Sequence, residues 1–235
     1  MRTHRSTPPS AQAAVSSRGG CLSGFLVPPL AVILVGILLA GLTISSIGPT
    51  APGSYQPGYE SVTGEPYADT NLAVIFTTEV QYWAGDILRW ASRTGLAPDL
   101  IATVMQIESC GDPRALSPSG AMGLFQVMPF HFTADDNPYD PDTNSFRGMG
   151  YLLQSLETAG GNIRLALAGY NGGISVIGWD ETSWPSETQR YAYWGAGIYQ
   201  EAKSGLATSP RLQEWLQAGG SSLCHQAQRR LGINP

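Results

Sequence analysis

The sequence predicts a mainly α-helical domain that follows one transmembrane helix. Residues 24–48 form a 25-residue segment without a charged residue, and about 20 apolar residues are enough to cross a bilayer. Further along the chain, apolar residues recur at spacings of three and four, as they do on one face of an α-helix. Alternation of apolar and polar residues, which is typical of a half-buried strand, is weak throughout the chain.

The charges around the apolar segment predict its orientation. Arg2, Arg5 and Arg18 precede it and no acidic residue does, so the positive-inside rule places the N-terminus in the cytoplasm and the rest outside. The alternative is a signal peptide cleaved after the small residues at 46–48. Pro49 follows directly and should hinder cleavage, because it restricts the residue before it and lacks an N–H. We expect an uncleaved anchor, with the domain exported in either case.

The exported part has an acidic charge balance. Beyond residue 48 there are 18 acidic and 10 basic residues, without a cluster of Lys or Arg. This balance argues against a nucleic-acid partner and against a surface that binds anionic lipid. The predicted divisions are a cytoplasmic tail at 1–23, a transmembrane anchor at 24–48, a Gly/Pro-rich linker at 49–68, a folded domain at 69–204 and a helical extension at 205–235.

Two cysteines, Cys110 and Cys224, lie in the exported part. An oxidising compartment permits a disulfide between them, and two buried free thiols are the alternative. His131 and His225 lack metal-ligand spacing with either cysteine. The sequence therefore predicts a disulfide and no metal site at these positions.

The helices can be placed from periodicity and end signals. Apolar spacing predicts one long amphipathic helix between Leu72 and Trp90, ended by Gly95. Pro98 predicts the start of a second helix that runs to about Cys110. A loop of roughly thirty residues follows, and loops of this length are usually functional. Further helices are predicted at about 144–158, 162–170 and 186–203, with a short one from Pro210 and a last one at 221–231.

Glu108 lies on the apolar face of the second predicted helix. It follows Ile101, Val104 and Met105 by seven, four and three positions, and these spacings share one helix face. A carboxylate there is costly unless it is paired or protonated. Burial and the negative end of the helix dipole both raise a carboxyl pKa, as a general acid near neutral pH requires. The alternative is a structural ion pair with Arg114, Arg164 or Arg190.

Several distinct sequence motifs follow one another along the chain in a recognisable order. The first holds Glu108-Ser109, Pro113, Ala115, Ser117, Gly120-Ala121, Gly123-Leu124, Gln126 and Pro129. The later ones are Asn144 through Gly148 to Tyr151-Leu152, then Ala168, Tyr170-Asn171 and Gly173, then Glu187-Thr188 and Tyr191. Over about residues 72–203 this order resembles the signature of the lytic transglycosylase family, which is related to goose-type lysozymes. The resemblance implies a lysozyme-like helical domain with long active-site loops.

The resemblance also implies roles for particular residues. Glu108 is the expected catalytic acid and base. The expected substrate-binding residues are Ser117, Gln126, Tyr170, Asn171, Glu187 and Tyr191. The Tyr170 hydroxyl could also hold Glu108 in place, and Glu187 could either bond the substrate or cap its helix.

A run of acidic residues invites comparison with a calcium site. It comprises Asp135, Asp136, Asp140, Asp142 and Asn144. The run lacks the Gly and the final Glu of an EF-hand loop, so turn and N-cap chemistry explains it better. We expect neither a metal nor another cofactor.

The predicted function is a peptidoglycan lytic transglycosylase anchored in the cell membrane, with its catalytic domain outside the cytoplasm. It would cleave the β-1,4 bond between N-acetylmuramic acid and N-acetylglucosamine with one glutamate and leave 1,6-anhydro ends. Its expected partners are glycan strands and, through the N-terminal helix, the cytoplasmic membrane, and not nucleic acid. The alternatives are a lysozyme-like hydrolase on the same scaffold and a non-catalytic peptidoglycan-binding scaffold module.

Overall fold

The computed structural model describes residues 71–233, and these residues are mainly α-helical. The helices are α1 (Thr78–Gln81), α2 (Ala84–Thr94), α3 (Pro98–Glu108), α4 (Pro141–Thr158), α5 (Ile163–Gly172), α6 (Ser186–Lys203), α7 (Pro210–Trp215) and α8 (Ser221–Leu231). Extended pairing within 71–233 is limited to two isolated bridges, both involving Met122. The mainly helical prediction is confirmed for this range.

The predicted anchor at 24–48 and linker at 49–68 lie outside the described residues. Between residues 71 and 233, no helix combines the length and the apolar character needed to span a membrane.

The single long helix predicted between Leu72 and Trp90 is wrong. Residues 71–77 are not helical, and α1 is separated from α2 at Tyr82 and Trp83. Side chains elsewhere in the fold satisfy this backbone instead, because Asp99 accepts from the Ala73 N–H at 3.0 Å and Gln106 accepts from the Thr77 N–H at 3.2 Å. The apolar residues of this segment therefore reach the core from irregular backbone, although their spacing matches that of a helix.

The end of α2 and the start of α3 agree with the sequence. Gly95 ends α2 in the left-handed conformation with φ 72°, which costs glycine little. Pro98 occupies the first turn of α3, where its missing N–H has no helical partner to lose. Nearly every residue of α3 before Ile107 is buried, so α3 is a central helix of the core.

The chain turns sharply after α3. Cys110 and Gly111 both adopt positive φ, at 52° and 85°. A Cβ atom on Gly111 would lie 2.8 Å from the Glu79 carbonyl oxygen, so only glycine fits this position. The turn redirects the chain into the long loop that precedes α4.

Helices α4, α5 and α6 pack side by side, with α5 in contact with both neighbours. Asp140 caps α4 by accepting from the Thr143 N–H at 2.8 Å, and Asn162 caps α5 by accepting from the Leu165 N–H at 3.1 Å. Such caps satisfy N–H groups that the helix itself leaves free. The predicted N-cap chemistry is confirmed at Asp140.

The helices after residue 205 are part of the same core. Leu212, Trp215 and Ala227 are buried in the hydrophobic cluster that also contains α3. The predicted disulfide between Cys110 and Cys224 is confirmed, with their Cα atoms 4.9 Å apart. It joins the end of the helix that carries Glu108 to α8.

Candidate active site

A cleft of about 990 Å³ opens beside the last turn of α3. Its walls come from the loop after α3, from α4, from the ends of α5 and α6, and from α8. All seven residues expected to act on the substrate line it, although they come from four separate segments of the chain. They are Glu108, Ser117, Gln126, Tyr170, Asn171, Glu187 and Tyr191.

Glu108 is half-buried at this cleft. Burial raises the pKa of its carboxyl to about 8, and the negative charge of Glu187 acts in the same direction. No ion pair between residues 71 and 233 includes Glu108, and Arg164 is paired with Glu181 instead. The carboxyl is therefore protonated at neutral pH, as a proton donor must be.

Two stacked tyrosines lie beside Glu108, with ring centroids of Tyr170 and Tyr191 separated by 6.5 Å. The Tyr191 hydroxyl lowers the pKa of Glu108 but does not offset burial. That hydroxyl is buried and makes no hydrogen bond of ordinary geometry within the described residues. Burial therefore has the larger effect on the pKa of Glu108, and the Tyr191 hydroxyl has the smaller one.

The expectation that the Tyr170 hydroxyl holds Glu108 is wrong. This hydroxyl donates to the Phe125 carbonyl oxygen at 2.7 Å, so its only proton is already used. Burial raises the pKa of both Tyr170 and Tyr191, and both rings keep their protons at neutral pH. The charge of Glu108 also raises the pKa of both tyrosines, and the Tyr191 hydroxyl is the one that lowers the pKa of Glu108.

The loop that carries Gln126 combines an uncommon backbone conformation with several hydrogen bonds. Gln126 has a positive φ of 45°, which is uncommon outside glycine and often marks a functional site. Its side-chain amide donates to the Gly123 carbonyl oxygen at 3.0 Å. Ser109 at the end of α3 donates to the Leu124 carbonyl oxygen at 2.7 Å, which fixes the loop to the helix that carries Glu108.

Asn144 is the buried residue that organises this loop. Its Oδ1 accepts from the Phe125 N–H at 2.9 Å, and its Nδ2 donates to the carbonyl oxygens of Met122 and Pro138 at 2.8 and 2.9 Å. The sequence motif placed Asn144 at the opening of a helix and did not reveal these long-range bonds.

The remaining expected residues lie at the cleft wall. The Ser117 Oγ accepts from the Ala121 N–H at 2.9 Å, and the Asn171 Oδ1 accepts from the Thr188 hydroxyl at 2.8 Å. Glu187 is exposed in the first turn of α6, and no side chain caps that helix. The capping alternative for Glu187 is therefore not observed.

The acidic run between residues 135 and 144 is used for local structure. Asp136 forms an ion pair with Arg147 at 2.7 Å, and Asp142 accepts from the Trp90 indole N–H at 2.7 Å. Asp136 also accepts from the Thr133 N–H at 2.8 Å, and this bond, together with Arg147, lowers the pKa of its carboxyl. The bond from Trp90 lowers the pKa of Asp142. The turn and cap interpretation is the one that these contacts support.

Sequence reasoning missed part of the cleft. His131 and Tyr151 line it, and their rings lie 4.6 Å apart. Burial lowers the pKa of His131, so its ring is neutral at neutral pH. The other missed lining residues include Ile107, Trp194, Ala218, Leu223 and Gln226. No motif marked these five residues, and three of them, Ala218, Leu223 and Gln226, lie in the helical extension beyond the motifs.

Comparison with known protein families identifies the segment that builds most of this cleft. Residues 86–190 match the model of the transglycosylase SLT domain. The chain is thus similar to the transglycosylase SLT family over 105 of its 235 residues. The resemblance drawn from the motifs is thereby confirmed, and all seven of the expected site residues except Tyr191 lie inside the SLT domain.

Individual relatives agree with this assignment. A protein of enterobacteria phage PRD1 described as a transglycosylase is 36% identical over 116 residues, which cover 48% of this chain and 40% of the phage protein. The chain therefore spans less than half of that relative.

Two solved structures are also similar. An inactive mutant of the lytic transglycosylase Slt from Pseudomonas aeruginosa is 27% identical with a TM-score of 0.44, covering 54% of this chain and 25% of that one. The 70 kDa soluble lytic transglycosylase from Escherichia coli is 22% identical with a TM-score of 0.38, covering 60% of this chain and 25% of that one.

Proposed function

We propose that this protein is a peptidoglycan lytic transglycosylase in which Glu108 serves first as acid and then as base. The observation that carries the proposal is the half-buried carboxyl of Glu108, whose pKa is raised to about 8 at the wall of a large cleft. A carboxyl of this kind is protonated at neutral pH and still able to give up its proton. The SLT domain and the transglycosylase name of the phage relative support peptidoglycan as the substrate class.

In the first step, Glu108 donates its proton to the oxygen that links C1 of N-acetylmuramic acid to O4 of N-acetylglucosamine. The bond between C1 and this oxygen breaks, and N-acetylglucosamine leaves with a free hydroxyl. The 2-acetamido group of the muramic acid stabilises the positive charge at C1. Negative charge on Glu108 is then stabilised by the Tyr191 hydroxyl, which favours the ionised carboxyl.

In the second step, Glu108 removes the proton from the C6 hydroxyl of the same muramic acid. The C6 oxygen forms a bond to C1 and closes the 1,6-anhydro ring. Glu108 is protonated again, so the cycle consumes neither water nor a cofactor. Its raised pKa suits both steps, because a group that titrates near the working pH can act as acid and as base.

A second candidate is a hydrolase on the same scaffold. Glu187 is the only other carboxylate among the described residues that line the cleft. Most glycosidases use a pair of carboxylates, one as acid and one as base or nucleophile. In that reaction a water molecule activated by Glu187 attacks C1 in place of the C6 hydroxyl. The reaction would give reducing ends instead of anhydro ends.

The first prediction tests the role of Glu108. Glu108→Gln keeps the shape of the side chain but cannot transfer a proton, so activity should fall by about 10²–10⁴-fold, as expected for loss of general acid–base catalysis. Digested peptidoglycan is analysed by mass spectrometry, with the wild-type protein giving anhydro-muropeptides. Glu157→Gln on the exposed face of α4 is the matched control and should keep full activity.

Each contrary result has a defined meaning. Reducing ends as the main product, together with loss of activity in Glu187→Gln, would favour the hydrolase. Undiminished digestion by Glu108→Gln would remove Glu108 from the mechanism. Binding to peptidoglycan without any digestion by the wild-type protein would favour a scaffold module.

We also propose that residues 24–48 anchor the protein in the cytoplasmic membrane with the SLT domain outside. The support is the charge-free segment and the three arginines before it. The protein should fractionate with membranes, resist extraction by salt and be digested by protease added from outside. A purified protein whose N-terminus begins near residue 48 would show a cleaved signal peptide instead of an anchor.

A further inference from the structure

One part of the cleft wall lies outside the SLT domain. Ala218, Leu223 and Gln226 line the same cleft as Glu108, whereas the family match ends at residue 190. They are joined in the cleft by Trp194 on α6, which also lies outside the match, and by Ile107, the neighbour of Glu108 on α3, which lies inside it. We refer to these five residues as the extension wall.

The extension wall is held firmly against the end of α3. Cys224 is bonded to Cys110, which lies two residues after Glu108. Gln226 donates through Nε2 to the Asp112 carboxylate at 2.6 Å, and Asp112 is fully buried. A covalent link and a charge-assisted hydrogen bond, which is stronger than a neutral one, therefore both fix α8 beside the loop of the cleft.

The chemistry of the extension wall fits one kind of ligand. Ala218, Leu223 and Ile107 offer apolar surface, and Gln226 offers an acceptor, because its Nε2 is already bonded to Asp112 while its Oε1 can still accept. An acetamido group combines a methyl group with an N–H donor. We propose that the extension wall is a binding subsite for an N-acetylated amino sugar of the glycan strand, an inference that rests on the proposed function.

A peptide carboxylate is a poorer fit for the extension wall. None of its five residues is charged, and the buried carboxylate of Asp112 lies directly behind Gln226. The five residues offer no cation to a negative ligand, and Arg230 is engaged with the Asp112 carboxylate at 3.9 Å. The subsite therefore extends recognition along the sugar chain.

The test measures sugar binding without turnover. The Glu108→Gln protein is titrated calorimetrically with the hexamer of N-acetylglucosamine, alone and with one further substitution. Ala218→Glu places bulk and charge on an exposed position of the extension wall, and Leu223→Asn replaces apolar surface with a polar group of similar size. Both should weaken hexamer binding about tenfold, or about 1.4 kcal/mol.

Matched controls come from the adjacent residues. Gln217→Glu and Ser222→Asn make comparable changes at exposed positions that do not line the cleft, and both should bind like the parent. Ala218→Glu keeps the test valid if Leu223→Asn fails to fold, because Ala218 is exposed. Equal affinity of Ala218→Glu and Gln217→Glu would overturn the proposal, as would a parent that does not bind the hexamer.

The two proposals can fail separately. If the wild-type protein releases no anhydro-muropeptide while the tenfold losses are observed, the catalytic proposal is wrong and the subsite stands. If anhydro-muropeptide is released and the wall variants bind like their controls, the enzyme stands and the subsite is wrong.

Discussion

Glu108 is kept in an environment that disfavours its charge. Its pKa is raised from 4.5 to about 8, chiefly by burial. Below the ordinary pKa the carboxyl is protonated in both folded and unfolded chains, so folding is not penalised. As the pH rises towards the folded-state pKa, only the unfolded chain gains the free energy of ionisation, and stability falls.

This difference predicts a pH-dependent gain in stability for Glu108→Gln. The variant should become more stable than the wild type as the pH rises from about 4.5 to about 8, by up to about 1.4 kcal/mol per pKa unit, and the gap should be constant above that. Urea denaturation at several pH values measures it, with Glu157→Gln as the charge-matched control. Parallel curves for Glu108→Gln and the wild type would contradict the prediction.

The two tyrosines beside Glu108 should have separable effects. Tyr191→Phe removes the hydroxyl that lowers the pKa of Glu108, so the alkaline limb of the pH–activity profile should move to higher pH. Tyr170→Phe should leave that limb in place but cost about 1–3 kcal/mol of stability, because the buried Phe125 carbonyl loses its donor. A shift caused by Tyr170→Phe alone would reverse the roles assigned here.

At the scale of elements, local signals predicted the helices that have clear ends. Gly95 and Pro98 marked boundaries that the structure contains, whereas the helix predicted from about residue 144 begins at Pro141. The segment from Leu72 to Trp90 was misjudged because side chains of a later helix satisfy its backbone, which no local pattern records. Glu108 and the site residues around it could be predicted from the motif and from the position of Glu108 on the apolar face of its helix. The hydrogen bonds of Asn144 and the extension wall could not be predicted, because they depend on contacts between distant segments of the chain.

The close packing of Gly148 on α4 against Phe125 and Tyr170 leads to a testable prediction. A Cβ atom on Gly148 would lie 2.7 Å from the Phe125 Cβ and 3.1 Å from the Tyr170 hydroxyl. Gly148→Ala should therefore displace the Gln126 loop, lower activity and destabilise the fold by about 1–3 kcal/mol. Gly150 lies on the exposed side of the same helix with open space around it. Gly150→Ala should instead stabilise it by up to about 1 kcal/mol, and thermal denaturation of both variants distinguishes them.

At the scale of the whole molecule, the disulfide connects residues 114 positions apart. In the chain-entropy model, a cross-link that closes a loop of this length contributes about 4–5 kcal/mol. Replacing Cys110 and Cys224 together by serine should lower the free energy of unfolding by about 2–5 kcal/mol, measured with urea and without reductant. Wild-type protein in excess dithiothreitol should match the variant, and an unchanged midpoint in either would mean that packing alone holds α8.

The same cross-link changes what a cut in the backbone does to the molecule. Residues 204–208, between α6 and α7, are all exposed, and exposed connections of this kind are where proteases cleave most readily. A chain nicked there would separate into two fragments only after reduction, since Cys110 and Cys224 lie on opposite sides of the cut. A chain nicked between α6 and α7 therefore remains one covalently joined molecule, with α8 still attached beside the end of α3.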